Sequence, residues 1–555
     1  MKNFFLFIGI AISFVGCSLL GLNIARETPK KPSKLPKFTV EDSLIGYLSG
    51  DRDCYKPYYY ELSIDFNIHK KSIEGVAKIH LLATKSFKTL MLNLHKNMMV
   101  RSIQYNGEEI NYRRKFTGLW LDFKSQIDSG KQIILEIKYG GKPIVAKRPP
   151  WEGGFVWKKD KKGRPFIGVA CEKVGANIWW PLKDHLSAEP DSMQMTFIVP
   201  KALTCVSNGK LIKEDSTETK KSFTYKVTYP INTYNATFYI GHFEHFSSGY
   251  AKIDNKRLHY YVLDYNLEKA REHFQQTRKI IQVYENTFGE YPFWRDEFKL
   301  VESPFEGMEH QTAIAYGNAY KNNAYGIDYI ILHESAHEWW GNAISVKDYA
   351  DIWIHEGMAT YSEALFIEES MGHETYLNYL NFYGMLVKNK QNMEGPKDVN
   401  YWNYKDSDPY MKGALMMHSL RTCIHKDVVF FDILKSFYQT YKYQTVCTED
   451  FIQMVNQKTG QDYHWFFKQY LNSRQVPKLV YYLDIKANSS DQVLYYKWEN
   501  VAADFAMPVY ITDVFGSAKM IYPSTTENSL KASGSYHMRI DTKCAYFASE
   551  IRKRP

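Results

Sequence analysis

From about Phe38 to His245 the hydrophobic positions recur with period two: Leu62, Ile64, Phe66 and Ile68 alternate with polar neighbours, and Ile133, Leu135, Ile137 and Tyr139 repeat the pattern. Side chains on a strand alternate between its faces, so this stretch predicts a large antiparallel β-domain with one face buried. Near Asn266 the period lengthens. Ala270, Phe274, Ile281, Tyr284 and Phe288 fall at three- and four-residue steps, which predicts the start of a mostly helical region. That region runs to about Tyr470, where Asn472, Ser473 and Pro477 interrupt it. Short apolar runs such as Leu479 to Ile485 then restore strand character and predict a small C-terminal β-sandwich. The expected class is α+β and multidomain, divided at 1–22, 23–37, 38–247, 248–471 and 472–555. No internal repeat stands out, which disfavours solenoids and propellers.

Composition changes this picture little. The chain has 555 residues, 45% hydrophobic and 24% charged, an ordinary globular balance. The net charge of +9 comes with no recognisable nucleic-acid-binding module, and the basic stretch Arg26 to Lys37 is Pro-punctuated and reads as a solvated tether; no nucleic-acid partner is expected.

The N-terminus bears on location. Phe4 to Leu22 is an uncharged, mostly apolar run of 19 residues, close to the ~20 that span a bilayer, so a retained anchor is one reading. The other rests on Phe14-Val15-Gly16-Cys17, which resembles the lipobox of bacterial lipoproteins, where cleavage before the Cys leaves it to be acylated. Either way the expectation is an exported, membrane-anchored protein on the periplasmic or cell-surface side. Seven Cys are too few for a disulfide scaffold. With Cys17 lipidated, six remain, without CxxC spacing, either as buried thiols or as pairs in an oxidising compartment.

The chemistry concentrates in His333-Glu334-Ser335-Ala336-His337. This is H-E-x-x-H in a helical stretch without Pro or Gly. A four-residue step stacks the two imidazoles one turn apart, close enough for both to reach one Zn2+. Glu334 has the place of the general base that activates water. A catalytic zinc needs a third protein ligand and an open position, and Glu356, 19 residues after His337 in another helical stretch, completes a His2Glu set.

These residues, with Trp339-Trp340-Gly341-Asn342 and Trp353 to Ala359, resemble the signature of the gluzincin zinc aminopeptidases, the family of aminopeptidase N, here as a short lipoprotein-type member. Gly307-Met308-Glu309-His310 resembles the family's G-x-M-E-N motif with His310 in place of Asn. The resemblance implies that Glu309 binds the substrate's free α-amine while Gly307 and Met308 meet its backbone. Tyr410-Met411-Lys412-Gly413 resembles the segment whose Tyr stabilises the tetrahedral oxyanion. Cys171-Glu172, before Gly175-Ala176 and Trp179-Trp180-Pro181, resembles the block holding a second amine-binding Glu or Gln, which makes Glu172 the candidate; Ala170 stands where many relatives carry Gln. Ser207-Asn208-Gly209 and Trp465 to Leu479 extend the likeness, which implies a thermolysin-like catalytic domain over 248–471.

After the short β-tail no room remains before Pro555 for the C-terminal helical domain of many relatives, so a more open cleft, or one closed by a partner or second copy, is expected. The implied activity is zinc-dependent removal of N-terminal residues from peptides. Endopeptidase action, epoxide hydrolysis, and an anchored binding protein with a vestigial metal site are the alternatives. Cleavage of peptides with free but not acetylated N-termini, abolished by a chelator, separates the first reading from the others.

Overall fold

The computed structural model describes residues 34–553 except 49, 251–256, 402–405, 486–491, 513–517 and 533–537. The lipobox, Cys17 and the tether to residue 33 lie outside the described residues.

The alternating stretches form strands whose apolar side chains point inward. Leu62, Ile64 and Phe66 on Tyr55–Asn67 and Ile133, Leu135, Ile137 and Tyr139 on Gln132–Gly141 are buried. Both strands belong to an eight-stranded sheet ordered Lys210–Ser216, Lys220–Val227, Ser192–Pro200, Tyr55–Asn67, Ser72–Ala83, Gln132–Gly141, Met98–Tyr105, Glu108–Glu109. One pairing departs from the antiparallel expectation: Tyr55–Asn67 runs parallel to Ser192–Pro200. The long intervening chain removes the hairpin constraint that would enforce an antiparallel neighbour. A second sheet, Thr204–Ser207, Phe238–Gly241, Pro165–Ala170 and Gly154–Lys159, meets the first where Phe238 packs edge-on against Phe66, 4.7 Å between ring centres, and Trp180, in a connecting turn, packs likewise on Tyr60 at 4.7 Å. The first residues of this region are helical: Val40–Gly46 and Gly50–Asp53 precede the first strand. Buried Arg52 holds them by donating to Ile45 and Tyr47 carbonyls and to Asp184 O at 2.8 Å.

A mixed five-stranded sheet follows, ordered Phe243–Gly249, Arg257–Leu263, Phe298–Glu302, Ile314–Tyr316, Gly307–Met308. The expected division after residue 247 falls inside the first of these strands, which pairs with the second. The helical periodicity near Asn266 resolves into two helices, Leu267–His273 and Gln276–Phe288. Further helices are Tyr329–Ala336, Trp353–Met371, His373–Leu386, Asp408–Ile424, Asp427–Tyr441, Thr448–Thr459 and His464–Leu471. Trp353–Met371 is buried at every position from Trp353 to Ile367, the pattern of a helix enclosed on all sides. Beyond Leu471 the described elements are strands, in a four-stranded sheet (Asn528–Ala532, Gln492–Glu499, Lys478–Ile485, Ala548–Ile551) and a three-stranded one (Ala518–Ile521, Val509–Thr512, Arg539–Ile540). The six described cysteines, Cys54, Cys171, Cys205, Cys423, Cys447 and Cys544, are free thiols.

Candidate metal and peptide site

The Tyr329–Ala336 helix starts at Asp328, whose side chain accepts from Ile330 N at 3.0 Å and from the Tyr316 hydroxyl at 2.7 Å. This N-cap ties the helix to the mixed sheet. His337 is the C-cap residue but keeps helical torsions, so the one-turn spacing of His333 and His337 survives the end of the helix. Gly341, at φ +128°, then reverses the chain where an added Cβ would lie 3.2 Å from His337 Nδ1.

Each imidazole is oriented through Nδ1. His333 Nδ1 lies 2.7 Å from Glu363 Oε1 and His337 Nδ1 lies 2.9 Å from Trp340 O. The two Nε2 atoms face one another at 3.1 Å, and Glu356 Oε2 lies 3.4 Å from each. A triangle with these sides has its centre about 1.9 Å from each corner, a spacing that would suit the ~2.0–2.1 Å bonds of zinc to His and Glu. Glu356 Oε2 is buried without a hydrogen-bond partner among the described residues, an omission that a cation at the centre makes good. Burial disfavours charge on both histidines, but Glu356, with Glu363 for His333, outweighs it and holds both imidazoliums above the ordinary range. Burial likewise raises Glu356, yet the facing imidazoles hold it at about 2. The site is built for positive charge, and the donor set fits zinc.

Glu363, which the motif does not include, accepts from His333 and also from Tyr379 and, at 2.7 Å, from Tyr383. Glu363 thus meets the Nδ1 side of the ring whose Nε2 faces Glu356 and His337, an arrangement that fixes ring orientation and raises ligand basicity. The adjacent His355 is no ligand. Its Nε2 accepts from Val346 N at 3.0 Å, and burial holds it neutral, at about 3.

Glu334 lies under the edge strand Gly307–Met308: a Cβ on Gly307 would sit 2.6 Å from Glu334 Oε1. Burial raises Glu334 to about 8 against the lowering effect of His333 and His337. Glu309 follows on the same loop, and one ligand atom each of Glu309, Glu334 and His337 lies within 4.8 Å of the others. Buried Glu309 accepts from Tyr234 Oη at 2.9 Å. Glu172, on the turn after Pro165–Ala170, is buried, and its charge reaches Tyr234 and Tyr349. The ring of Tyr410 stacks on His333 at 5.9 Å between centres. Its helix approaches Trp353–Met371 through facing glycines, where a Cβ on Gly413 would sit 2.7 Å from Gly357 Cα. Lys412, buried beneath, donates to Ser473 O at 3.1 Å. His310 turns away from the metal triangle to Tyr239 Oη at 2.6 Å and is kept neutral by burial, at about 3.

Two stretches match described domains: residues 272–470 match the Peptidase family M1 domain, and residues 56–235 match the Peptidase M1 N-terminal domain. The chain belongs to the M1 peptidase family. Within it, the chain is similar to a leucyl aminopeptidase of Saccharolobus solfataricus, 25% identical over 315 residues, covering 54% of this chain and 38% of that protein. It is also similar to a leukotriene A-4 hydrolase of Xenopus laevis, 21% identical over 438 residues, covering 73% of this chain and 68% of that protein. The chain thus spans about two fifths of the length of the first relative. In fold it resembles a mutant M1 zinc metallopeptidase of Deinococcus radiodurans bound to a Tyr-Ser-Ala substrate, with TM-score 0.65, 19% identity, and coverage of 79% of this chain and 98% of that one. A Legionella pneumophila aminopeptidase A in complex with aspartic acid gives TM-score 0.76 at 17% identity, covering 90% of this chain and 60% of that one.

The sequence reading omitted Glu363, Tyr379, Tyr383 and Tyr234, and carried Asn342 only as part of the family signature, without a task. Glu363 had a local signal, since it lies two helical turns after Glu356 on the same face. Tyr234 had none.

Proposed function

We propose that this chain is a zinc-dependent aminopeptidase that removes N-terminal residues from peptides, with one Zn2+ held by His333, His337 and Glu356. The observation that carries this reading is the convergence of Glu309, Glu334 and His337 within 4.8 Å. A base for water and an acceptor for an ammonium group share one buried wall beside the metal ligands.

Zinc, when bound, supplies Lewis acidity and brings the pKa of water toward about 7. Glu334 takes the proton from the attacking water and delivers it to the departing amine. Tyr410 donates its hydroxyl hydrogen to the oxyanion that develops on the scissile carbonyl. Glu309, with Glu172 as a second carboxylate, holds the α-ammonium and so sets the distance from the N-terminus to the cleaved bond. Gly307–Met308 is an edge strand of the mixed sheet, so an extended peptide can add to it through backbone hydrogen bonds.

The test is a panel of aminoacyl fluorogenic amides with free and acetylated amines, assayed before and after zinc removal. Hydrolysis of the free amines alone, lost on chelation and restored by zinc, supports the reading; equal cleavage of both sets, or full activity without metal, overturns it.

The same proposal places a domain division near residue 471 and reads the two C-terminal sheets as one sandwich. It also attaches the protein to a membrane through acylated Cys17, on the strength of the lipobox. Palmitate labelling of the wild type that disappears in Cys17→Ala supports the attachment, and an unlabelled wild type contradicts it.

A further inference from the structure

We infer that the Asn232–Asn235 turn of the N-terminal β-region is a positioning clamp for Glu309, with Tyr234 holding the carboxylate and Asn235 holding the backbone. The inference rests on the amine-binding role proposed above for Glu309.

Two arms reach Glu309 from this one turn. Tyr234 donates its hydroxyl to Glu309 Oε1 at 2.9 Å. Asn235 Nδ2 donates to Asn342 Oδ1 at 2.6 Å, and Asn342 Nδ2 donates to the Glu309 carbonyl at 2.8 Å. The turn is itself fixed: Asn232 Nδ2 donates to Ser345 Oγ at 3.1 Å, while Asn208 Nδ2 bridges the carbonyls of Asn235, at 2.9 Å, and Gln311, at 2.7 Å. Asn208, Asn232, Asn235, Asn342 and Glu309 are all buried. Directional hydrogen bonds, rather than apolar contacts that tolerate sliding, therefore set where the Glu309 carboxylate sits.

Chemistry gives the first arm its purpose. A buried carboxylate is costly unless hydrogen-bonded, and Tyr234 is the one side chain among the described residues that donates to this one. Burial and the charges of Glu309 and Glu172 raise Tyr234 well above its ordinary range, so the phenol keeps the proton it donates. One oxygen of Glu309 is occupied by Tyr234, which leaves the remaining acceptor capacity for an ammonium group. The Ser207-Asn208-Gly209 segment, prominent in the sequence without an assigned task, becomes the brace of the turn.

Tyr234→Phe removes one hydroxyl at nearly constant volume, and the test compares leucine p-nitroanilide with its acetylated form on the zinc-loaded protein. The expected result is a fall of roughly 10- to 100-fold in kcat/KM for the free amine, the worth of a hydrogen bond to a charged group, carried mainly by KM. Zinc content and any hydrolysis of the acetylated form stay unchanged, while the thermal midpoint falls because a buried acceptor loses its donor. A merely structural role would depress both substrates together; that outcome, or a free-amine KM within twofold of wild type, overturns the clamp. Should Tyr234→Phe fail to fold, Asn235→Ser breaks the backbone arm alone and is read in the same way. A crystal structure of Tyr234→Phe separates this inference from the functional reading beneath it. A displaced Glu309 carboxylate supports the clamp even if the wild type shows no free-amine preference, whereas an unmoved carboxylate overturns the clamp and leaves that preference standing.

Discussion

The two halves of the site are built by different means. The metal half is local: His333 and the carboxylate that orients it are 30 residues apart, and all its parts lie on two helices and the turn between them. The amine half is assembled across the molecule, with Tyr234 and Glu309 separated by 75 residues and Asn235 and Asn342 by 107. Helix geometry spaces the two imidazoles of the first, and packing against neighbouring helices brings in Glu356 and braces Glu363 with Tyr379 and Tyr383. The second exists only when the β-region and the helical region are docked, so under the proposed function the choice between cutting anywhere and cutting from the end is entrusted to an interface.

Substitutions on each half sharpen that contrast. The largest effect is expected from Glu334→Gln, which removes the base and leaves every metal ligand in place: turnover of free-amine substrates should fall by about 10²- to 10⁴-fold with zinc content unchanged by metal analysis. Parallel loss of zinc would mean that Glu334 is a ligand and that the two halves are not separable. Next, Glu363→Gln should weaken zinc affinity by about 10- to 100-fold in competition with a chelator, while activity recovers at saturating zinc. An unchanged affinity would leave His333 oriented by something else. The smallest effect falls on stability. Gly413→Ala forces a Cβ to within 2.7 Å of Gly357 Cα, backbone that cannot give way, and should lower unfolding free energy by about 1–3 kcal/mol in denaturant titration. Wild-type stability in that variant would show that the crossing beneath Tyr410 has slack.

The contrast also explains what could be read in advance. His333 and His337 follow from helical spacing, because a helix converts separation in sequence directly into position, and Glu356 from ligand number and the family likeness of its surround. Burial of alternate residues on Tyr55–Asn67 and Gln132–Gly141 was legible for the same reason, from the two-residue period of a strand. The parallel pairing of Tyr55–Asn67 with Ser192–Pro200 was not, since strand direction depends on connections far outside any local window. Glu363 lay within reach of the helical argument and was passed over because ligand counting stops at three. Tyr234 was beyond reach: nothing in the residues around an Asn-Thr-Tyr-Asn turn marks it as the neighbour of a motif more than seventy positions away. Ser207-Asn208-Gly209 stood out in the sequence, but its task depends on carbonyls of Asn235 and Gln311 that only the folded chain brings together.

The most direct measurement of the central claim is the ratio of kcat/KM for a free aminoacyl amide to that for its acetylated counterpart, taken in wild type and in Glu309→Ala with zinc determined on the same samples. The account predicts a large ratio in the wild type that collapses in Glu309→Ala, a loss on the order of 2 to 5 kcal/mol in transition-state binding, with one zinc retained in both. A ratio unaltered by the substitution, or zinc lost along with it, would contradict the division of the site into a metal half and an amine half.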